Sequence, residues 1–178
     1  MPSLPLMPGF NSASATLRAR LQAWCVAMLS IQCDAYTLGV VLGAGAVYQG
    51  RGEALLKPAV LVVPEGHGGA LEAERVGAAP VLAVDLLDAA TGPVAAKALV
   101  EHYAAAGALE YWQIWMETLE MPFFHQRSGS GRLERVKPDR KGNYFSGFGE
   151  SLTFPARWFE EQPSLWVMMR HWAIIDDD

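Results

Sequence analysis

The sequence has 178 residues, a net charge of −5 and 51% hydrophobic residues. That length suits one domain with a substantial core, and the apolar share excludes general disorder. No apolar run reaches the ~20 residues needed to span a bilayer, and the acidic balance argues against a phosphate footprint spread over the whole surface.

The expected organisation is one domain over 1–178, with an irregular N-terminus at 1–11 and a C-terminal extension at 163–178. Met1 to Gly9 is proline-rich and carries no positive charge ahead of an apolar stretch, so it does not read as a signal peptide. The chain has two cysteines, Cys25 and Cys33, without CxxC spacing. Reduced thiols in a cytoplasm are the simplest reading. Ser12 to Thr16 supplies capping residues, and Leu17, Leu21, Trp24, Met28 and Ile31 follow at spacings of four, three, four and three. This predicts an amphipathic helix with one apolar stripe.

Leu38 to Gly50 is apolar and glycine-rich. Gly39, Gly43 and Gly45 match neither the dinucleotide fingerprint nor the phosphate loop, so they read as bulges or close-packing points in strands. Lys57 to Pro64 predicts a buried strand, followed by a glycine-rich loop to Gly77 that holds His67. A lone loop histidine without a second ligand at metal spacing reads as solvated.

Pro80 to Trp115 carries the strongest signal. Pro80 to Leu87 is a short apolar run between turn residues, which suits a buried strand. Pro93 fits a helix N-terminus, Leu99, Tyr103 and Ala106 share a helical face, and Gly107 stops the helix. Tyr111 to Trp115 is aromatic and β-prone. A strand–helix–strand unit of this length is a parallel crossover. Asp85 interrupts the apolar strand on the face shared with Ala83 and Leu87. A buried carboxylate must be hydrogen-bonded, paired or metal-bound. It therefore reads either as a cap on the following turn or as a metal or catalytic group at the sheet's carboxyl edge.

Beyond this unit, Leu119 to Gln126, Arg132 to Lys137 and Tyr144 to Thr153 predict an antiparallel meander appended to the parallel core. Residues 127–141 hold six of the fourteen basic residues, Arg127, Arg132, Arg135, Lys137, Arg140 and Lys141. They form either a solvated hairpin or a ribbon that contacts DNA phosphates. A short helix is expected from Pro155. In the extension, Trp166, Met169, Trp172 and Ile175 would pack on the domain or a second subunit, and the acidic tail Asp176 to Asp178 would fray.

Val84-Asp85-Leu86-Leu87, followed by Tyr103-Ala-Ala-Ala-Gly107-Ala-Leu-Glu110-Tyr111-Trp112, resembles the signature of the restriction-endonuclease-like family called Uma-two, within the PD-(D/E)XK nuclease superfamily. Lys57-Pro58-Ala59 and the strand after it resemble that family's Pro-Asp strand. The resemblance covers about Thr16 to Phe159 in element order and is specific mainly over Pro80 to Trp112. It implies an α/β, restriction-endonuclease-like mixed sheet flanked by helices. In active members an Asp and a Glu on neighbouring strands bind a divalent metal, and a Lys on the following helix polarises phosphate or water. Hard carboxylates suit Mg²⁺ or Mn²⁺, which would activate a water and steady the leaving oxygen.

Carried over residue by residue, the Pro-Asp position is Pro58-Ala59, which lacks the first carboxylate. The Glu position is Asp85. Asp88 is the candidate second metal ligand, with Glu65 as another. The helical Lys position is Leu99. Lys97, about 200° around the helix from it, is the candidate phosphate or water partner. The resemblance thus implies catalytic residues Asp85 and Lys97 and metal ligands Asp85 and Asp88. Mg²⁺ or Mn²⁺ is expected only if the protein is active. With one family carboxylate and the Lys missing, the expectation is an eroded nuclease, weakly active or inactive. The alternative is a non-catalytic protein-interaction or DNA-binding module, acting as a homodimer through Trp166 to Ile175.

Overall fold

The computed structural model describes residues 12–43, 45–49, 55–65, 78–148 and 152–175. The expectations for the N-terminus, for His67 and its loop, and for the acidic tail lie outside the described residues.

The predicted first helix, α1, runs from Ser12 to Tyr36. It buries Leu21, Cys25, Met28, Leu29 and Cys33. Both cysteines are free, and burial pushes the Cys25 thiol up to about 12 and that of Cys33 to about 11. Thiols held protonated in this way are inert packing groups.

Strand β1 (Val40–Leu42) pairs with β4 (Val60–Val63), and β2 (Tyr48–Gln49) forms a separate small ribbon with β3 (Leu55–Leu56). A Cβ on Gly39 would stand 2.2 Å from the Val63 carbonyl oxygen. No side chain fits there, because a backbone atom cannot yield as a side-chain tip can. The glycine run therefore serves close strand packing at this position.

The predicted crossover is present. Strand β5 (Leu82–Leu87) leads into α2 (Gly92–Ala105) and returns as β6 (Glu110–Trp115), which lies parallel to β5. Gly107 ends the turn after α2 with a φ of 91°, a conformation that favours glycine. Strands β7 (Phe123–Arg127) and β8 (Leu133–Val136) follow, antiparallel. The result is a six-stranded mixed sheet in the order β1-β4-β5-β6-β7-β8, with β5–β6 its one parallel pair.

Alternation along β5 divides the core. Leu82, Val84 and Leu86 face α1, in a cluster that also holds Trp112, Phe124 and Phe159. Ala83 faces α2 with Tyr103, Ala106 and Tyr111. This is an α/β fold with helices on both faces of a mixed sheet.

The expected antiparallel meander follows the parallel core, with β7 and β8 added to the edge of β6. Two local expectations differ from the structure. The strand expected over Tyr144 to Thr153 is instead two strands, β9 (Asn143–Phe145) and β10 (Thr153–Pro155), paired as their own ribbon. The chain leaves β9 because Ser146 and Gly147 turn inward to bond Glu110. Pro155 does not open a helix. It ends β10 opposite Asn143, and α3 (Trp158–Glu161) begins three residues later.

The final helix, α4 (Leu165–His171), packs on the same domain through Met168, with Trp172 just after it; of the predicted series Trp166, Met169, Trp172 and Ile175, Trp172 is the buried member. Trp166 is 57% exposed. Among the described residues no helix is long and apolar enough to cross a membrane.

Candidate functional site

Asp85 projects from β5 toward α2 and is 9% exposed. The Tyr111 hydroxyl donates to its Oδ2 at 2.9 Å. The nearby Tyr103 hydroxyl, the Ala59 backbone N–H, which itself donates to the Val84 carbonyl at 2.9 Å, and the Arg18 charge also favour its ionised form. Burial outweighs all four and pushes the Asp85 pKa up to about 6. The two phenol rings stack, with centroids 4.4 Å apart. Burial and the Asp85 charge keep both hydroxyls protonated, so they remain donors. Gln113, opposite Asp85 in the parallel register, donates to the Tyr111 hydroxyl at 3.4 Å and to the Ala96 carbonyl at 2.7 Å.

Asp85 opens on a small cavity of about 240 Å³ lined by Arg18, Gln22, Lys57, Pro58 and Ala59. The side chains of α1 are tied across it. Arg18 donates to the Leu86 carbonyl at 2.6 Å and to Asp88 at 3.2 Å, and Gln22 donates to the Ala59 carbonyl at 2.6 Å.

Asp88 turns out to be the residue that caps the turn. It accepts from the Thr91 backbone N–H and hydroxyl at 3.2 and 3.3 Å, and it pairs with Arg18. Lys97 lies on the outer side of α2, 79% exposed, 3.8 Å from Glu101. It lines a different cleft, which Asp85 does not reach. Leu99 packs against the apolar cluster that holds Tyr103. Glu65 is exposed beyond the end of β4.

A divalent ion such as Mg²⁺ needs several hard oxygens in octahedral array. At this cavity the described residues offer Asp85 as the one carboxylate. Ala59 has only a methyl group, Asp88 is committed to Arg18 and Thr91, and two cations share the space. Among the described residues no group of three or more His, Cys, Asp or Glu side chains is placed to hold a metal. The set present does not fit a resident divalent ion.

The basic segment is less free than its composition suggests. Arg127 donates to the carbonyls of Ala104, Ala108 and Gly131, which fixes the end of α2 to the β7–β8 hairpin. Arg135 lies over the Phe123 ring, 3.5 Å from its centroid. Arg132, Lys137, Arg140 and Lys141 are exposed.

Sequence reasoning gave no structural role to Glu110, at the head of β6. It is fully buried. Its Oε1 accepts from Trp112 at 2.6 Å and Tyr144 at 2.5 Å, and its Oε2 from Ser146 at 2.7 Å and the Gly147 N–H at 2.8 Å. The only signal available was a carboxylate opening an otherwise apolar aromatic strand.

No family model matches the chain, and no curated protein is significantly similar to it. A solved structure from Anabaena variabilis, described as "a putative nuclease belonging to DUF820", matches with a TM-score of 0.65 at 14% identity, over 88% of this chain and 83% of that one. The chain has a nuclease-like fold. At that identity the likeness carries the arrangement of helices and strands and nothing of the chemistry. Within the nuclease-like fold, the Asp85 cavity lies where α1 crosses the start of β4 and the carboxyl half of β5.

Proposed function

We propose that this chain is a nuclease-fold protein with an eroded metal centre, which engages a partner without metal-dependent cleavage of phosphodiesters. The observation that carries the reading is the engagement of Asp85. Its carboxylate accepts from the Tyr111 hydroxyl, whose ring stacks on Tyr103, and the residue leading into the neighbouring strand is Ala59 where a second carboxylate would be needed. Arg18 and Lys57 beside it give the cavity a positive rim suited to holding a phosphate oxygen, but a cation cannot serve as a metal ligand. Losing a ligand or proton-transfer group costs many-fold in rate.

The test is plasmid nicking with Mg²⁺ and with Mn²⁺, run beside Asp85→Ala. The expected result is the same background level for both proteins. Nicking by the wild type that disappears in Asp85→Ala would overturn the reading and assign a working metal centre to the chain.

A second reading, association of two copies, is favoured by one observation. Leu165, Trp166 and Val167 are consecutive on α4 and all about half exposed. A non-catalytic homodimer would bury this corner. Sedimentation velocity at micromolar concentration should then give a dimer for the wild type and a monomer for Trp166→Ser. A wild-type monomer sinks the reading.

A further inference from the structure

We infer that the cleft between α2 and strands β6 to β8 is a binding site for a small organic anion with a flat aromatic body. The cleft encloses about 850 Å³ and shares no lining residue with the Asp85 cavity. Its size is that of a small-molecule site and far below what a duplex or a folded partner needs. Ala96, Val100 and Ala104 of α2 form one apolar wall, while Trp115, Phe123 and Leu133 contribute from the sheet. Flat aromatic walls favour a flat aromatic guest, which gains offset or edge contacts beyond simple burial.

The charge on the walls sets the sign of the guest. Lys97, Arg132 and Arg135 line the cleft against one acid, Glu101, which already faces Lys97 at 3.8 Å. Arg135 is held by its position over Phe123, so its guanidinium is presented in a fixed plane beside the aromatic wall. A planar fork of donors next to an apolar surface matches a carboxylate or sulfonate carried on a ring.

Two buried polar atoms support the same conclusion. His125, 8% exposed and opposite Arg135 in the β7–β8 register, has an Nδ1 with no hydrogen-bond partner among the described residues, and the same holds for the buried Trp115 Nε1. Orphaned buried polar atoms are few in native proteins, and both of these belong to residues that line the cleft. The indole N–H can donate to an anionic oxygen, and a neutral imidazole nitrogen can give or take one bond according to its tautomer. Burial, with the nearby Arg135 charge, lowers the His125 pKa, while an interaction with the Tyr111 backbone opposes this. The imidazole is therefore neutral at physiological pH, and the cations of the site are the arginines and Lys97. One histidine with no acidic or thiol partner lining the cleft except Glu101 does not make a metal site.

The probe is 2-naphthoate, titrated by calorimetry and followed by tryptophan fluorescence, beside the uncharged 2-naphthalenemethanol. The wild type is expected to bind one naphthoate saturably. The uncharged compound should bind about tenfold more weakly or worse, because it forfeits a charge-assisted hydrogen bond. Arg135→Gln, an exposed position whose thermal melt should not move, is expected to cost a similar factor. Ala104→Phe, which fills the apolar wall, should abolish the heat of binding. No saturable binding by the wild type overturns the inference, and so does naphthoate binding of equal strength in wild type and Arg135→Gln.

Discussion

Glu110→Ala is expected to lower stability by about 4 kcal/mol, the cost typical of breaking a buried, fully hydrogen-bonded charged network from one side. The reasoning rests on directionality. All four groups around the carboxylate are donors: the Trp112 indole, the Tyr144 hydroxyl, the Ser146 hydroxyl and the Gly147 N–H. Removing the acceptor leaves them facing one another around a fully buried position. Tyr144 also accepts from Gln126 at 3.0 Å, so the loss propagates to β7. Glu110→Gln keeps the shape but turns an N–H₂ group toward two donors, so it should cost about half as much. At this chain length the alanine variant should melt about 10 °C lower. Equilibrium denaturation in urea checks both values. An alanine variant within about 1 kcal/mol of wild type would show that the network is worth little.

Asp85→Asn is expected to act in the opposite direction and to stabilise the protein at neutral pH. Burial raises the Asp85 pKa from 3.8 to about 6 in the folded state. The folded protein therefore holds the Asp85 proton to higher pH than the unfolded chain does. The associated stability is fully present below about pH 4, falls as pH rises to about 6, and is absent above that. A shift of about two pH units corresponds to about 3 kcal/mol. Asparagine is a permanently neutral acceptor for Tyr111 and escapes that cost. The variant should thus gain up to about 3 kcal/mol at pH 7.5 and match the wild type near pH 4. Glu110 is also raised by burial, its four donors opposing the shift, and contributes a slope of the same sign in both proteins. The difference between the two stability curves isolates Asp85. A difference that does not change with pH would mean that the carboxylate is solvated. A residue that destabilises its own fold when ionised is common where a site once had, or still has, a task for a charge.

Much of the central unit was legible because strong local signals agree there. The apolar run of β5, Pro93, the Tyr103 face and Gly107 each specify the same strand–helix–strand crossover, and one buried Asp stands out against it. Asp88 shows why residue type alone misleads. A turn carboxylate can ligate a metal or cap a helix approach, and only the positions of Thr91 and Arg18 decide between these. Lys97 was separable from the Asp85 face by helical angle, since Leu99 shares the Tyr103 side and Lys97 does not. What the sequence hid is long-range. Glu110 meets Ser146 and Gly147 across thirty-six and thirty-seven residues, and that meeting bends the chain where local β-propensity predicts a continuous strand. Pro155 followed local preference for a helix start until the pairing of Phe154 with Tyr144 overrode it. The cleft above β6 to β8 depends on the separation of α2 from the sheet, which no spacing rule encodes.

The order of the main sheet has a consequence for how the chain assembles as it is made. From β4 onward, each strand of that sheet pairs with the strand of the sheet that precedes it in the sequence. A polypeptide emerging from the ribosome would thus offer every new strand an edge already built, with the closures before β4, β5 and β6 longer than those that add β7 and β8. Glu110 is the exception to this progressive order. It opens the fourth strand of the sheet, yet its partners Tyr144, Ser146 and Gly147 arrive a full hairpin later. Until those residues are made, the carboxylate has Trp112 alone of its four donors, so the network at the centre of the sheet closes only after the β7–β8 hairpin is in place.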